Sequence, residues 1–222
     1  MRKYTVDAYW SFRSPYSYIA LPRMRALRDE MNVDWNFKIV SPLAVRLPEH
    51  FTRQDKMARP YLLLDSARAA RYLGIPFGRP RPDPIVQNPD TLEIAKEQPH
   101  IHRLTRLGAA ATRHGRAFEL AEEVGRILWD GTIDGWNQGS HLEQAVRRAG
   151  LDLQELEAEI AADPGVFDAI IRQHESEQRA ARHWGVPMFV YDNEPYFGHD
   201  RLDHLAWRIA QDRPDPGSAM AG

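Results

Sequence analysis

Ser14-Pro15-Tyr16-Ser17 sets two hydroxyls three residues apart where an apolar segment gives way to an amphipathic one. A serine before proline suits a helix N-cap with proline at the first helical position. The same geometry can do chemistry, because a helix N-terminus presents free N–H groups and partial positive charge that stabilise an anion such as a thiolate. A serine hydroxyl adds one hydrogen bond to that anion. The chain has no cysteine, so a thiol seated here must arrive on a ligand. A hydrolytic role for Ser14 is poorly supported: the glycines of a G-x-S-x-G elbow are missing, and nothing in the sequence brings His199 and Asp200 to it as base and orienter.

Two later segments offer complementary chemistry. In Gly185-Val186-Pro187-Met188-Phe189, Pro187 either merely starts a strand or follows a cis bond. The cis form would turn the Val186 N–H and C=O outward to pair with an extended, peptide-like ligand. In Gly198-His199-Asp200-Arg201-Leu202, Asp200 reads as the N-cap of a last helix. Alternatively, His199, Asp200 and the adjacent backbone form a polar pocket for a group carrying both an ammonium and a carboxylate, as an α-amino acid terminus does. Metal binding is the weakest option, since the nine histidines are scattered and His100-x-His102 has no second cluster at ligand spacing. Trp129, Trp136 and Trp184 read as packing groups.

The elements that must position these residues follow from periodicity. Tyr4 to Trp10 reads as a strand and Ser14 to Met31 as a helix, with Ala20, Met24, Leu27 and Met31 at helical spacing. Val33, Trp35, Phe37 and Ile39 alternate with polar residues as a second strand. Strand signals then nearly vanish. Helices are expected at Tyr61–Leu73, Ile101–His114, Ala117–Trp129, His141–Ala149, Leu153–Ala162 and Val166–His183, with a Pro- and Gly-rich loop from Gly74 to Pro84. Strand character returns at Pro187–Tyr191 and Pro195–Phe197 as a hairpin; a helix begins near His199, and a loosely ordered tail runs from Asp212. Pairing the terminal strands in one mixed sheet makes an α/β fold, β-α-β from the front and β-β-α from the back, with the helical middle inserted. The corresponding division is 1–45 with 184–222, and 46–183.

Composition excludes several classes. A net charge of −2 gives no electrostatic pull toward nucleic acid or an anionic membrane. No apolar run approaches the ~20 residues that span a bilayer, and the N-terminus lacks the features of a signal peptide, so a cytoplasmic protein is expected.

Phe12 to Tyr18, Tyr61 to Asp65 leading into Gly74-Ile75-Pro76-Phe77, Ala121 to Gly131, and Gly185 through Leu202 together resemble the 2-hydroxychromene-2-carboxylate isomerase family. That family is close to the kappa-class glutathione transferases and to bacterial disulfide oxidoreductases of the thioredoxin superfamily. The resemblance spans nearly the whole chain. It implies a thioredoxin-like fold with an inserted all-helical domain, a homodimer, and glutathione as cofactor. Ser14 matches the serine that holds the glutathione thiolate, Val186 and Pro187 match the residues whose backbone meets the cysteinyl part, and His199 with Asp200 match the γ-glutamyl seat. The implied reaction is isomerisation of an unsaturated aromatic carboxylate. The alternatives are a kappa-like transferase or peroxidase, and a non-catalytic glutathione- or peptide-binding module. The chain departs from the family pattern in reading Trp10-Ser11-Phe12 where Phe-Asp-Phe is usual, and in carrying His199 where Gln or Ser is common. Ala58 stands where a basic residue is expected, leaving Lys56 and Arg59 as the nearest candidates to orient the substrate carboxylate.

Overall fold

Alternation of apolar side chains places the first two strands at the centre of the fold. The computed structural model describes residues 2–49, 55–88, 91 and 93–212; the tail read as loosely ordered lies, from residue 213 on, outside the described residues. Strand β1 (Tyr4–Trp10) buries Val6, Ala8 and Trp10, and β2 (Val33–Ile39) buries Val33, Phe37 and Ile39. The two pair in parallel from Tyr4↔Val33 to Trp10↔Ile39, which requires a crossover, and helix α1 (Pro15–Met31) supplies it. Asn32 ends α1 at φ 57°, a left-handed position that asparagine tolerates, with its N–H bonded to the Leu27 carbonyl.

Strand β3 (Met188–Tyr191) lies antiparallel on the other side of β1, and β4 (Glu194–Phe197) lies antiparallel to β3, giving the order β2-β1-β3-β4. The β3–β4 turn is Asp192-Asn193, both at positive φ as a two-residue hairpin demands. This topology decides where a site can form. The C-terminal ends of the parallel strands β1 and β2 share one sheet edge with the N-terminal end of β3, so Ser14, the segment after β2 and Val186-Pro187 all arrive at that edge.

Between β2 and β3 come α2 (Leu43–Arg46), α3 (Ala58–Tyr72), α4 (Pro99–Arg113), α5 (Ala117–Trp129), α6 (His141–Arg148), α7 (Leu153–Ala162) and α8 (Pro164–Ala180). A 3₁₀ turn (His199–Arg201) leads into α9 (Leu202–Gln211). The short α2 is absent from the periodicity reading, since four residues cannot show a helical period. Helices α4 and α8 start two residues ahead of the first apolar residue that marks them, because Pro99 and Pro164 occupy the first turn and the Asp163 side chain caps α8 at the Val166 N–H. Conversely, α8 stops at Ala180 rather than His183.

One continuous apolar cluster joins sheet and helices. Phe37 of β2 meets Phe118 of α5 edge-on with ring centroids 5.8 Å apart, and Trp10 meets Phe12 at 4.8 Å. Each such buried ring contributes on the order of 2 kcal/mol by burial. Lys38 of β2 adds a polar clamp, reaching Asp7 at 2.9 Å and Glu177 of α8 at 2.6 Å. No described helix is long and apolar enough to cross a membrane.

Candidate functional site

Ser14 caps α1 with Pro15 at the first helical position, its Oγ accepting the Ser17 N–H at 3.2 Å. The same hydroxyl donates to the Val186 carbonyl at 3.3 Å, so the first and second motifs meet through one oxygen. The Val186–Pro187 bond is cis. Two backbone donors at this junction, the N–H groups of Tyr16 and Val186, have no acceptor among the described residues. A half-buried hydroxyl beside two free N–H groups at a helix N-terminus is chemically an anion seat. Ser17 stands where a second reactive group of such a motif would sit; its hydroxyl is fully buried and without a partner among the described residues.

The third motif is tied in from two directions. The Gly198 N–H donates to the Pro187 carbonyl at 2.9 Å, and the His199 ring stacks on Tyr16 with centroids 5.4 Å apart. The Tyr16 hydroxyl donates to Asp65 of α3 at 2.6 Å. Burial and the Asp65 carboxylate push the Tyr16 hydroxyl well above its ordinary range, so it stays a donor. Burial lowers His199, with Asp200 and Asp65 opposing, so its ring is neutral near pH 7. Asp200 does not cap the last helix as expected. Gly198 at φ 105° opens a 3₁₀ turn instead, α9 begins only at Leu202, and the exposed Asp200 carboxylate pairs with Arg201 at 3.3 Å.

Arg59, one of the two candidates for orienting a substrate carboxylate, belongs to a group of guanidinium side chains with Arg13, next to Ser14 in the chain, and Arg79. Arg13 makes a two-pronged ion pair with Asp83 and lies 6.0 Å from the Trp129 ring centre. Trp129 is held in turn by donation to the Phe12 carbonyl at 2.9 Å. Arg59, on α3, lies within electrostatic reach of Arg13, Arg79 and Asp83; burial and repulsion by the two arginines lower it. Neither Arg59 nor Arg79 has a hydrogen-bond or ion-pair partner among the described residues. Lys56 is exposed just ahead of α3 and has no hydrogen bond or ion pair with the residues above.

Trp129 and Trp136 are buried packing groups, but Trp184 is 45% exposed. Its ring stacks on His183 at 4.8 Å, and His183 stacks on Phe197 at 4.0 Å, forming an aromatic flank beside Gly185. A cleft of about 640 Å³ lies elsewhere, between α4 and α7, lined by residues including Gln98, His102, Leu107 and Ile160. Its arginines are already paired, Arg103 with Glu157 and Arg106 with Asp168, whereas the Ser14 edge carries the unpaired donors.

A mixed four-stranded sheet with a helix N-terminus after the first strand, a cis-proline before the third and a run of helices between the two halves defines a thioredoxin-like fold with a helical insertion. The chain belongs to the DSBA-like thioredoxin domain family, whose family model matches residues 5–210. Among solved structures, it is similar to a 2-hydroxychromene-2-carboxylate isomerase, with 19% identity, coverage of 93% of this chain and 95% of that one, and a TM-score of 0.71. It is also similar to a probable DsbA oxidoreductase from Streptomyces coelicolor, with 18% identity, coverage of 96% and 92%, and a TM-score of 0.64. The cytosolic disulfide reductase DsbM from Pseudomonas aeruginosa, in a structure with GSH, matches at 15% identity, coverage of 93% and 99%, and a TM-score of 0.61. These are likenesses of fold. No curated protein matches the chain. With no cysteine in the sequence, dithiol–disulfide exchange by the protein's own side chains is excluded.

Proposed function

We propose that this protein is a glutathione-dependent isomerase of the 2-hydroxychromene-2-carboxylate isomerase type, acting in the cytoplasm as a homodimer on an unsaturated aromatic carboxylate. The observation that carries the reading is the Ser14–Val186 hydrogen bond, which joins the helix N-terminus to the cis-proline segment around unpaired donors. Those donors fit a thiolate attached to a peptide: the Tyr16 N–H would meet the anion, the Ser14 hydroxyl would turn to it from the Val186 carbonyl, and the Val186 N–H would pair with a backbone carbonyl. His199, its ring neutral, and the exposed Asp200 carboxyl suit the amino-acid terminus of the γ-glutamyl group. Residues 1–45 and 184–222 would hold glutathione, and 46–183 would supply the substrate side. There Arg59, and less directly Lys56, would orient the carboxylate. When bound, glutathione would supply a thiolate nucleophile for reversible addition to a conjugated carbon, the displaced electron pair passing onto the substrate's own conjugated carbonyl and returning when the thiolate departs.

The fold shared with the isomerase and with a disulfide reductase solved with GSH supports this reading. Titration with glutathione, followed by chemical shift or tryptophan fluorescence, should saturate in the millimolar range or below, and Ser14→Ala should lower glutathione-dependent turnover of 2-hydroxychromene-2-carboxylate about ten- to hundredfold, the worth of one hydrogen bond to a charged group. Unchanged thiol concentration after turnover marks an isomerase, and its consumption a transferase. Binding without turnover of any chromene or conjugation substrate would leave a binding module, and absence of saturable binding would end the glutathione reading.

A further inference from the structure

Of the backbone polar groups of Trp184, Gly185 and Val186, four are bonded within the protein and two N–H groups, those of Trp184 and Val186, have no partner among the described residues. The Trp184 carbonyl accepts from Arg46 Nη2 at 2.9 Å, the Gly185 N–H donates to His183 Nδ1 at 2.9 Å, and the Gly185 carbonyl accepts from Gln178 Nε2 at 2.7 Å. The Val186 carbonyl accepts from Ser14, leaving the Val186 N–H open. Trp184 is 45% exposed and its N–H meets solvent, whereas Val186 is half-buried and tied to Ser14, so its open N–H is the donor that this segment presents at the Ser14 edge.

The bonds that fix this segment come from two distant elements. Arg46 closes α2 and Gln178 lies near the end of α8, and Arg46 Nη1 donates to Gln178 Oε1 at 3.0 Å. The Gln178 side chain is fully buried, and its amide can sit only one way round: flipped, it would set donor against donor at Arg46 and acceptor against acceptor at Gly185. Arg46 has no carboxylate partner among the described residues, and its Nε is buried without an acceptor. Burial lowers Arg46, with Glu175 opposing at longer range and Arg179 adding to it, and its direct bonds go only to a carbonyl and an amide. Gly185 closes the segment from the opposite side: a Cβ there would lie 2.8 Å from a Phe197 ring carbon and 2.9 Å from the His183 ring.

We infer that Arg46 and Gln178 are positioning residues that hold the Trp184–Val186 backbone so that the Val186 N–H faces the ligand. The inference rests on the glutathione reading for the identity of that ligand, but the brace itself exists without it.

Gln178→Glu and Gln178→Met separate positioning from stability. Glutamate keeps an acceptor for Arg46 but loses the donor to the Gly185 carbonyl, whereas methionine loses both. Gln178→Glu should therefore melt above Gln178→Met, while both bind glutathione about tenfold more weakly than wild type, the size expected for one misplaced hydrogen bond. In the ligand-free proteins the Val186 amide resonance should move or broaden in both variants. An affinity that simply follows melting temperature, or wild-type affinity in Gln178→Glu, would overturn the inference. So would a Val186 resonance identical in all three ligand-free proteins. If wild type itself fails to bind glutathione, the proposed function falls, and the ligand-free Val186 resonance then decides the brace alone.

Discussion

Tyr16 lies face to face with His199, their rings 12° from parallel and 5.4 Å between centroids. The two residues are 183 positions apart in the chain, yet this stack binds the motif that opens α1 to the turn that opens α9. Tyr16 thereby serves two elements at once, since its hydroxyl is also committed to Asp65 of α3.

Removing the ring and removing the hydroxyl should have different consequences. Burial is the main cause that lowers His199. Tyr16→Leu uncovers that ring and should raise the His199 pKa back toward ~6.5, the value for a free side chain. Tyr16→Phe keeps the stack and should leave His199 close to its wild-type titration, while costing roughly 1 kcal/mol for the lost bond to Asp65. Titration of the His199 ring by NMR in the two variants checks this; equal shifts in both would mean that the Asp65 contact, not the stack, governs His199.

Ser14→Ala should act on stability and chemistry separately. Loss of the N-cap costs about 1 kcal/mol in denaturant unfolding. Loss of the hydroxyl's bond to a thiolate should raise the pKa of protein-bound glutathione by roughly one to two units, because hydrogen bonds to charged groups are worth about 1.5–3 kcal/mol and one unit is about 1.36 kcal/mol. Thiolate absorbance against pH measures it. An unchanged thiol pKa in a variant that still binds would remove Ser14 from the thiol's surroundings.

The strands and the site differ in how far they were legible from sequence. Strand β1 and the alternating residues of β2 match their expected bounds, because a half-buried strand writes its register into consecutive residues. Helices α5 and α7 match theirs for a similar reason, their apolar faces filling each helix from end to end. Ser14 as an N-cap followed from Ser-Pro alone. The pairs that complete the site have no local signal: Tyr16 and Asp65 are 49 residues apart, Arg13 and Asp83 are 70 apart, and Arg46 and Gln178 are 132 apart. Asp200 illustrates the opposite error. Its type suited a cap, but the positive φ of Gly198 starts a tighter turn and displaces the helix start past it.

Gly185 should tolerate no side chain. A methyl group would press on Phe197 and His183, and either the aromatic stack or the Gly185–Gln178 bond must yield. Overpacking of this kind costs about 1–3 kcal/mol. Gly185→Ala should be destabilised by that amount, and adding Phe197→Ala should recover part of it, giving a favourable coupling in a double-mutant cycle by urea unfolding. Strict additivity would show that the segment moves without engaging Phe197.

His174 should make stability fall on mild acidification. Its Nδ1 lies 3.0 Å from the Ile39 carbonyl and donates to it, and the side chain is only 8% exposed. Burial lowers its pKa; Glu177 and Asp7 pull it up and Lys38 pushes it down, without reversing the direction. In the unfolded chain the ring titrates near ~6.5. Between that value and the lower native one, the unfolded state binds more protons, so stability rises with pH and is lost as pH falls through this window, with a slope of up to about 1.4 kcal/mol per pH unit for one group. His102, His183 and His199 are lowered in the same direction by burial and add to the slope. The lowered carboxylates of Glu177 and Asp168 act in a separate window, since their stabilisation is lost only as pH falls through the carboxylate range. Urea unfolding at about pH 8 and about pH 5.5 should therefore show wild type losing stability while His174→Gln loses less, so that the gap between them narrows at the lower pH. A gap that stays constant or widens would mean that His174 takes up its proton in the native state as readily as in the unfolded chain.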